Sequence, residues 1–389
     1  MNFKTLRDFD LENKIVLLRA DLNVPVQNGK VTDTTRIDRL KPTIDYLRNH
    51  KARVIIISHF GRPKGEEKPE FSLKFLPPVL EKQWGCKVGF GKESDEEVQL
   101  LENLRFNPGE EKNDSGYAKQ LASLGDIYIN DAFSTSHRAH ASTEGITHFL
   151  PSGAGLLMEA ELKALHDALE NPQHPVLAIV GGAKISTKLN VLNNIVKKVD
   201  YLVLGGAMAN TFLVADGHDM GQSMCEKDML EEARKIKKTA QEQGCEIVLP
   251  LDCVAVEKLK ENADFETVDA ENFPAGKSAV DIGPKSIKNL NDILEKCKTV
   301  LWNGPLGVFE IKPFDKGTNA VAQKVATLTK EGKLISVAGG GDTVSALDNA
   351  GAVDDFSYIS TAGGAFLEWI EGKELPGVAA LQKSSAKAA

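Results

Sequence analysis

Short runs of β-branched and aliphatic residues alternate with longer stretches of helical periodicity through most of the chain. In the first half the apolar runs are KIVLLR from Lys14, ARVIIIS from Ala52, CKVGF from Cys86, VQLLEN from Val98 and DIYIND from Asp126. Helical patterning lies between them, near residues 36–50, 73–84 and 115–124. The second half repeats the scheme with HPVLAIVG, DYLVLGG, CEIVLP, KTVLWNG, KLISVAGGG and DFSYISTAGG, again separated by helical segments. Such alternation predicts βαβ units and parallel sheets covered by helices on both faces. The expected fold is α/β: two Rossmann-like domains with parallel sheets, bilobal with a hinge.

The stretch from Gly155 to Glu170 is rich in Leu, Ala and Glu, and Asn171-Pro172-Gln173-His174-Pro175 follows as a stop signal. The domain boundary is placed there, giving domains 1–171 and 172–375. Residues 376–389 are expected as a C-terminal tail packing back on the first domain. Hinge positions are expected at the ends of helix 155–170 and around Ser360-Thr361.

A length of 389 residues exceeds what one core usually serves, in keeping with two domains. Hydrophobic residues make up 42% and charged residues 26%, which excludes disordered and fibrous classes. A net charge of −8 argues against nucleic-acid or anionic-membrane partners, so any anionic ligand must meet a local basic cluster. No apolar run is long enough for a membrane span, and MNFKTLRDFDLENK lacks the apolar core of a signal peptide; the expected location is cytoplasmic. Five cysteines without a CxxC pair read as reduced, mostly buried thiols.

The two halves end their strands differently. In the first, IVLL gives way to Arg19, Asp21 and Asn23, VIIIS to His59 and Arg62, and LLENLRF and IYINDAFSTSHRAHAS bring Arg105 and Arg138. Arg36 opens a helix in TDTTRID, beside a potential Thr or Asp cap. Ligands of open parallel sheets bind outside the carboxyl ends of the strands. Guanidinium groups gathered there suit a small anion with more than one oxyanion group.

In the second half the strand ends are glycine-rich: Gly181, Gly182 and Lys184; Gly205 and Gly206; Gly304, Pro305, Gly307 and Glu310; Gly339 to Thr343; Gly363 and Gly364. Glycines between strand and helix let backbone N–H groups approach phosphates, which predicts a nucleotide site. Asp342, after three glycines, is a candidate Mg²⁺ contact. The common phosphate motifs are absent. Gly276-Lys277-Ser278 lacks the upstream glycine of a Walker A loop, and GFGKES near residue 89 lacks the third glycine of a dinucleotide fingerprint. Both are expected as surface loops.

The stretches RADLNVP, SHFGRP, LENLRF, SHRAHAS, VGGAK, WNGPLGVFE, AGGGDT and STAGG, in this order over almost the whole chain, resemble the phosphoglycerate kinase family. The resemblance implies a monomeric glycolytic enzyme that transfers a phosphoryl group between 1,3-bisphosphoglycerate and MgADP, giving 3-phosphoglycerate and MgATP. It assigns Asp21, Asn23, Arg36, His59, Arg62, Arg105 and Arg138 to the phosphoglycerate. It makes Arg36, Lys184 and the amides of Gly363 and Gly364 the groups that stabilise the transferring phosphoryl. It places Lys184, Lys188, Gly205, Gly206, Asn303, Pro305, Gly307, Glu310, Gly340, Gly341, Asp342 and Thr343 on the nucleotide, with Asp342 at Mg²⁺. One departure stands out: Ala362 occupies a position where many relatives carry glycine. If that residue needs a positive φ, the local geometry is strained.

Two rival readings remain. An NAD-dependent dehydrogenase would want a GxGxxG opening a βαβ unit, which is missing. A non-catalytic binding protein on the same fold would be favoured by loss of Arg36, Lys184 or Asp342, and all three are present.

Overall fold

The computed structural model describes residues 3–387. The chain divides into two compact units, residues 1–163 with 374–389, and residues 164–373. The division falls inside the helix Leu156–Leu165, which continues as a wider turn over His166–Glu170. The helix Pro376–Lys387 packs within the first unit, against the strand Ser152–Ala154.

Each unit is built on a six-stranded parallel sheet. In the first, the order across the sheet is Val88–Phe90, Val98–Leu100, Arg53–Ile57, Ile15–Arg19, Ile127–Asn130 and Ser152–Ala154. In the second it is Glu246–Val248, Tyr201–Gly205, Val176–Gly181, Thr299–Asn303, Ile335–Gly339 and Tyr358–Ser360. Numbered in chain order, the second sheet reads 3-2-1-4-5-6, the doubly wound arrangement. The first reads 3-4-2-1-5-6. Strand order therefore reverses between Ile15–Arg19 and Ile127–Asn130 in one unit, and between Val176–Gly181 and Thr299–Asn303 in the other.

The central strands are covered on both faces, which is why they are continuous apolar runs instead of alternating ones. Val16, Leu18, Val54 and Ile56 join one side of the first core with Ile37, Leu40 and Ile44 of the helix Thr35–Asn49. In the second unit Leu177, Ile179, Val300 and Trp302 pack with Val321 and Val325 of the helix Lys316–Lys330. Burial of each such aliphatic side chain contributes about 1.5–3 kcal/mol.

Two features are additions to the sequence reading. Ser152–Ala154 is a sixth strand of the first sheet. A separate antiparallel sheet, Glu266–Asp269, Asp252–Val256 and Ser278–Ile282, is inserted in the second unit. Ser278 thus starts a strand instead of ending a loop, and Gly89 and Phe90 of GFGKES lie in the strand Val88–Phe90. The five cysteines are free thiols, three of them buried. Among the described residues no helix is long and apolar enough to cross a membrane.

Asp281 ties the inserted sheet to the rest of its unit. Its carboxylate accepts N–H groups from Ile282 at 2.9 Å and from Gly317 at 2.7 Å, and Gly317 lies in the first turn of the helix Lys316–Lys330. A Cβ on Gly307 or Gly317 would overlap that carboxylate. Burial pushes the carboxyl up from the ordinary 3.8 to about 7, and Asp315 adds to the rise. The folded state then holds the proton more tightly than the unfolded chain, so this contribution to stability is full below the ordinary value and is lost as pH rises through about 7. Asp281→Asn, which cannot ionise, should therefore gain stability relative to wild type as pH rises from about 5 to 8. Thermal denaturation across that range reads the difference; a gap that stays constant or moves against the variant contradicts the assignment.

Candidate functional site

At the switch point of the first sheet, Asp21 follows the strand Ile15–Arg19 and faces the segment after Ile127–Asn130. Its carboxylate receives Arg36 Nη1 at 2.7 Å, the hydroxyl of Ser134 and the N–H of Asn23 at 3.1 Å. Burial, the largest single influence, opposes the charge on Asp21, but Arg36, His59, Ser134 and the Asn23 N–H together outweigh it and hold the carboxyl below its ordinary value. Arg36 Nη1 also donates to the Asn23 carbonyl at 3.0 Å. Its Nε and Nη2 have no hydrogen-bond partner among the described residues, so half of the guanidinium fork stays available. The helix that carries Arg36 starts after Thr34, which makes no side-chain cap; just before it, the Asp33 carboxylate accepts the N–H of Thr35 at 2.8 Å.

Gly61 joins three of the sequence candidates. Its N–H donates to the Asn23 side chain at 2.9 Å, its carbonyl accepts Arg105 Nη1 at 2.8 Å, and Arg62 follows it in the chain. Arg62 is exposed, and its side chain makes no ion pair or hydrogen bond among the described residues. Arg105 is buried, and its Nε has no hydrogen bond; the nearest counter-charge is Glu111, 3.4 Å away. Burial, reinforced by Arg138 and Arg19, lowers the Arg105 pKa. The structure thus gathers Asp21, Asn23, Arg36, His59 and Arg105, with Arg138 within electrostatic reach of Arg105. A buried guanidinium with an unfilled donor beside others of the same sign is a site that an anion would stabilise.

In the second unit an open cleft of about 730 Å³ lies at the switch point. Lys188, Gly206, Pro305, Gly307, Glu310 and Asp342 line it. Lys188 Nζ reaches across the point of reversal, to the Gly181 carbonyl at 2.6 Å and to the Asn303 side-chain oxygen at 2.6 Å. Burial lowers the Lys188 amine to about 8, against the opposing pull of Asp342. Behind the cleft wall, Asn303 donates to the Gly339 carbonyl at 2.7 Å, and Thr343 accepts the Gly304 N–H at 2.7 Å. Gly340 and Gly341 lead into the helix Gly341–Asn349, with Asp342 exposed in its first turn.

Other candidates stand apart from the cleft lining. Lys184 is exposed in the loop after Val176–Gly181, and Gly363 and Gly364 begin the helix Gly363–Ile370. Gly205 ends its strand against Leu306. Ala362 has φ −97°, an ordinary value for an L-residue, so alanine there is unstrained.

The sequence reading missed the apolar wall of the cleft, to which Met224, Leu259 and Val308 contribute. Met224 and Leu259 are among the large exposed hydrophobics of the chain, and they sit in or beside the inserted antiparallel sheet that the sequence reading did not find. It also missed Ser134, one of two serines in the polar run from Ser134 to Arg138.

Residues 6–373 match the family model described as phosphoglycerate kinase. A relative named Phosphoglycerate kinase from Ruegeria sp. (strain TM1040) is 56% identical over 395 residues, covering 98% of this chain and 100% of that one. Another of that name, from Cereibacter sphaeroides (strain ATCC 17025 / ATH 2.4.3), is 55% identical with the same coverage. The solved structure of phosphoglycerate kinase from Coxiella burnetii superposes with a TM-score of 0.93 at 42% identity, over 98% of this chain and 99% of that one. That from Pyrococcus horikoshii OT3 gives 0.80 at 31% identity, over 99% and 100%.

Gly304 is a position where the cleft tolerates little change. Its φ is +105°, and a Cβ there would run into the Gly181 backbone of the adjacent strand. Gly304→Ala should cost about 3 kcal/mol or more through strain and overlap together. Urea denaturation measures it; a loss below about 1 kcal/mol would mean that the two backbones are free to separate.

Proposed function

The chain belongs to the phosphoglycerate kinase family, and on that premise we propose how its own residues carry a phosphoryl group between 1,3-bisphosphoglycerate and MgADP. It is a phosphotransferase of glycolysis, and the dehydrogenase alternative is not favoured. The observation that carries the residue assignment is the unfilled donors of Arg36 and Arg105 at the first switch point. In this reading Asp21 and Asn23 take the hydroxyl and carboxylate end of the acid. His59, Arg62, Arg105 and Arg138 anchor its phosphate.

The transfer breaks the bond between phosphorus and the acyl oxygen and forms one between phosphorus and a β-phosphate oxygen of ADP. The carboxylate of 3-phosphoglycerate leaves with the electron pair, and no proton moves. Such a reaction needs positioning and charge stabilisation more than covalent chemistry. Arg36, with Lys184 and the amides of Gly363 and Gly364, supplies that charge in our reading. Lys188, Gly206, Asn303, Pro305, Gly307, Glu310 and the Gly340 to Thr343 turn hold the nucleotide. Asp342 is exposed within the cleft, and one carboxylate suffices for an Mg²⁺ whose other ligands are phosphate oxygens and water. The ion, when bound, neutralises charge on the phosphates. Water must be kept from the acyl phosphate, and we assign that to domain closure, hinged at the ends of helix 155–170 and at Ser360-Thr361. The enzyme works in this account as a cytoplasmic monomer without nucleic-acid or membrane partners.

The direct test is NADH consumption with the purified chain, MgATP and 3-phosphoglycerate, coupled to glyceraldehyde-3-phosphate dehydrogenase. Turnover should require both substrates and Mg²⁺; folded protein that binds neither ligand would overturn the reading. Arg36→Ala should lower kcat by about 10²-fold or more. A change confined to KM would remove Arg36 from the transition state. Asp342→Ala should weaken Mg-nucleotide binding in calorimetry while leaving 3-phosphoglycerate binding unchanged; the reverse pattern moves the metal site elsewhere.

A further inference from the structure

Beneath the acid rim a buried chain of polar groups leads up to His59, and its other members, Glu110, Ser142 and Arg19, have no place in the assignments above. Glu110 is fully buried, and its carboxylate accepts the N–H of Ser142 at 3.1 Å and the Ser142 hydroxyl. Ser142 Oγ in turn accepts Arg19 Nε at 2.9 Å. Arg19 is 1% exposed, and its Nη1 donates to the Ala20 carbonyl. Its Nη2 lies 3.2 Å from Nδ1 of His59. The order is Glu110, Ser142, Arg19, His59, running from the core to the rim.

The last contact settles a proton. A guanidinium in a protein is always charged and can only donate. His59 Nδ1 must therefore present its lone pair to Arg19, which leaves the ring's proton on Nε2. Nε2 has no partner among the described residues, so the ring offers a single free donor.

We propose that Arg19 is a positioning residue: held by Ser142 and Glu110, it fixes His59 as a neutral imidazole whose Nε2–H is a hydrogen-bond donor for the oxyanion groups of the acid substrate. His59 thus binds by direction and not by charge, and the cationic work is left to the arginines around it. The charged groups facing His59 agree with this. Burial and the nearby Arg19 both disfavour a second proton, Arg105 and Arg36 add to them, and Asp21 alone opposes; the balance holds the His59 pKa well below its ordinary value. A free imidazole near neutral pH would be partly protonated, and binding through it would weaken as pH rises through about 6.5. A ring locked in one neutral form binds equally across that range.

The inference rests on the phosphoglycerate reading for what His59 contacts, but its central test needs no substrate. Long-range ¹H–¹⁵N correlation spectra of the ¹⁵N-labelled full chain report each ring's tautomer, and His59→Gln assigns the signal. His59 should give the Nε2–H pattern from about pH 5.5 to 8. An Nδ1–H pattern, or a doubly protonated ring above about pH 6, overturns the proposal while leaving the kinase assay untouched. Arg19→Lys should give mixed tautomers and raise KM for 3-phosphoglycerate by about 10-fold with kcat nearly kept. A wild-type spectrum and KM in that variant would also overturn it. Should circular dichroism find Arg19→Lys unfolded, Ser142→Ala, which frees Arg19 Nε, is read by the same two outcomes.

Discussion

Where neighbouring parallel strands turn away to opposite faces of a sheet, their terminal backbone groups are left facing a gap, and both units are organised around one such gap. In the first it opens between Ile15–Arg19 and Ile127–Asn130, in the second between Val176–Gly181 and Thr299–Asn303. Buried polar groups need partners. The two units answer that need with different chemistry: one fills the gap with a cluster of charged side chains, the other lets backbone approach backbone with the Lys188 amine spanning the strand ends.

In the first unit the result is a layered network. Asp21 is paired with Arg36 and bonded to Ser134, while Arg19, Ser142 and Glu110 form a deeper layer that holds His59. Positive charge from Arg36, Arg105 and Arg138 is concentrated there, a surface suited to a multiply charged anion. In the second unit Gly304 touches the Gly181 backbone, and Lys188 ties the two strand ends from the side. Exposed backbone, with Glu310 and Asp342, then faces the cleft, a surface suited to phosphates and a hydrated cation.

The strands that build both sheets were legible because each is a short apolar run bounded by turn residues. Ser152–Ala154 was not, since Ser, Gly and Ala carry no strand signal; its place comes from pairing with Ile127–Asn130. The inserted antiparallel sheet was hidden because Asp252–Val256 begins only just past Pro250, where the run CEIVLP was taken to end. At the rim, arginines after strand ends were visible from their positions alone. What position cannot convey is division of labour: Arg19 and Arg105 both fall near strand ends, yet Arg19 is spent on internal hydrogen bonds while Arg105 keeps a donor unfilled. The concern over Ala362 was reasonable from glycine statistics and was resolved by its φ.

The account stands on one division, acid on the first unit and nucleotide on the second, and hydrogen–deuterium exchange with each ligand alone tests it most directly. 3-Phosphoglycerate should slow exchange around residues 20–23, 59–62, 104–106 and 134–138, and MgADP around 181–188, 303–310 and 339–343. Protection of the first unit's rim by MgADP alone, with the glycine-rich turns unaffected, would contradict it.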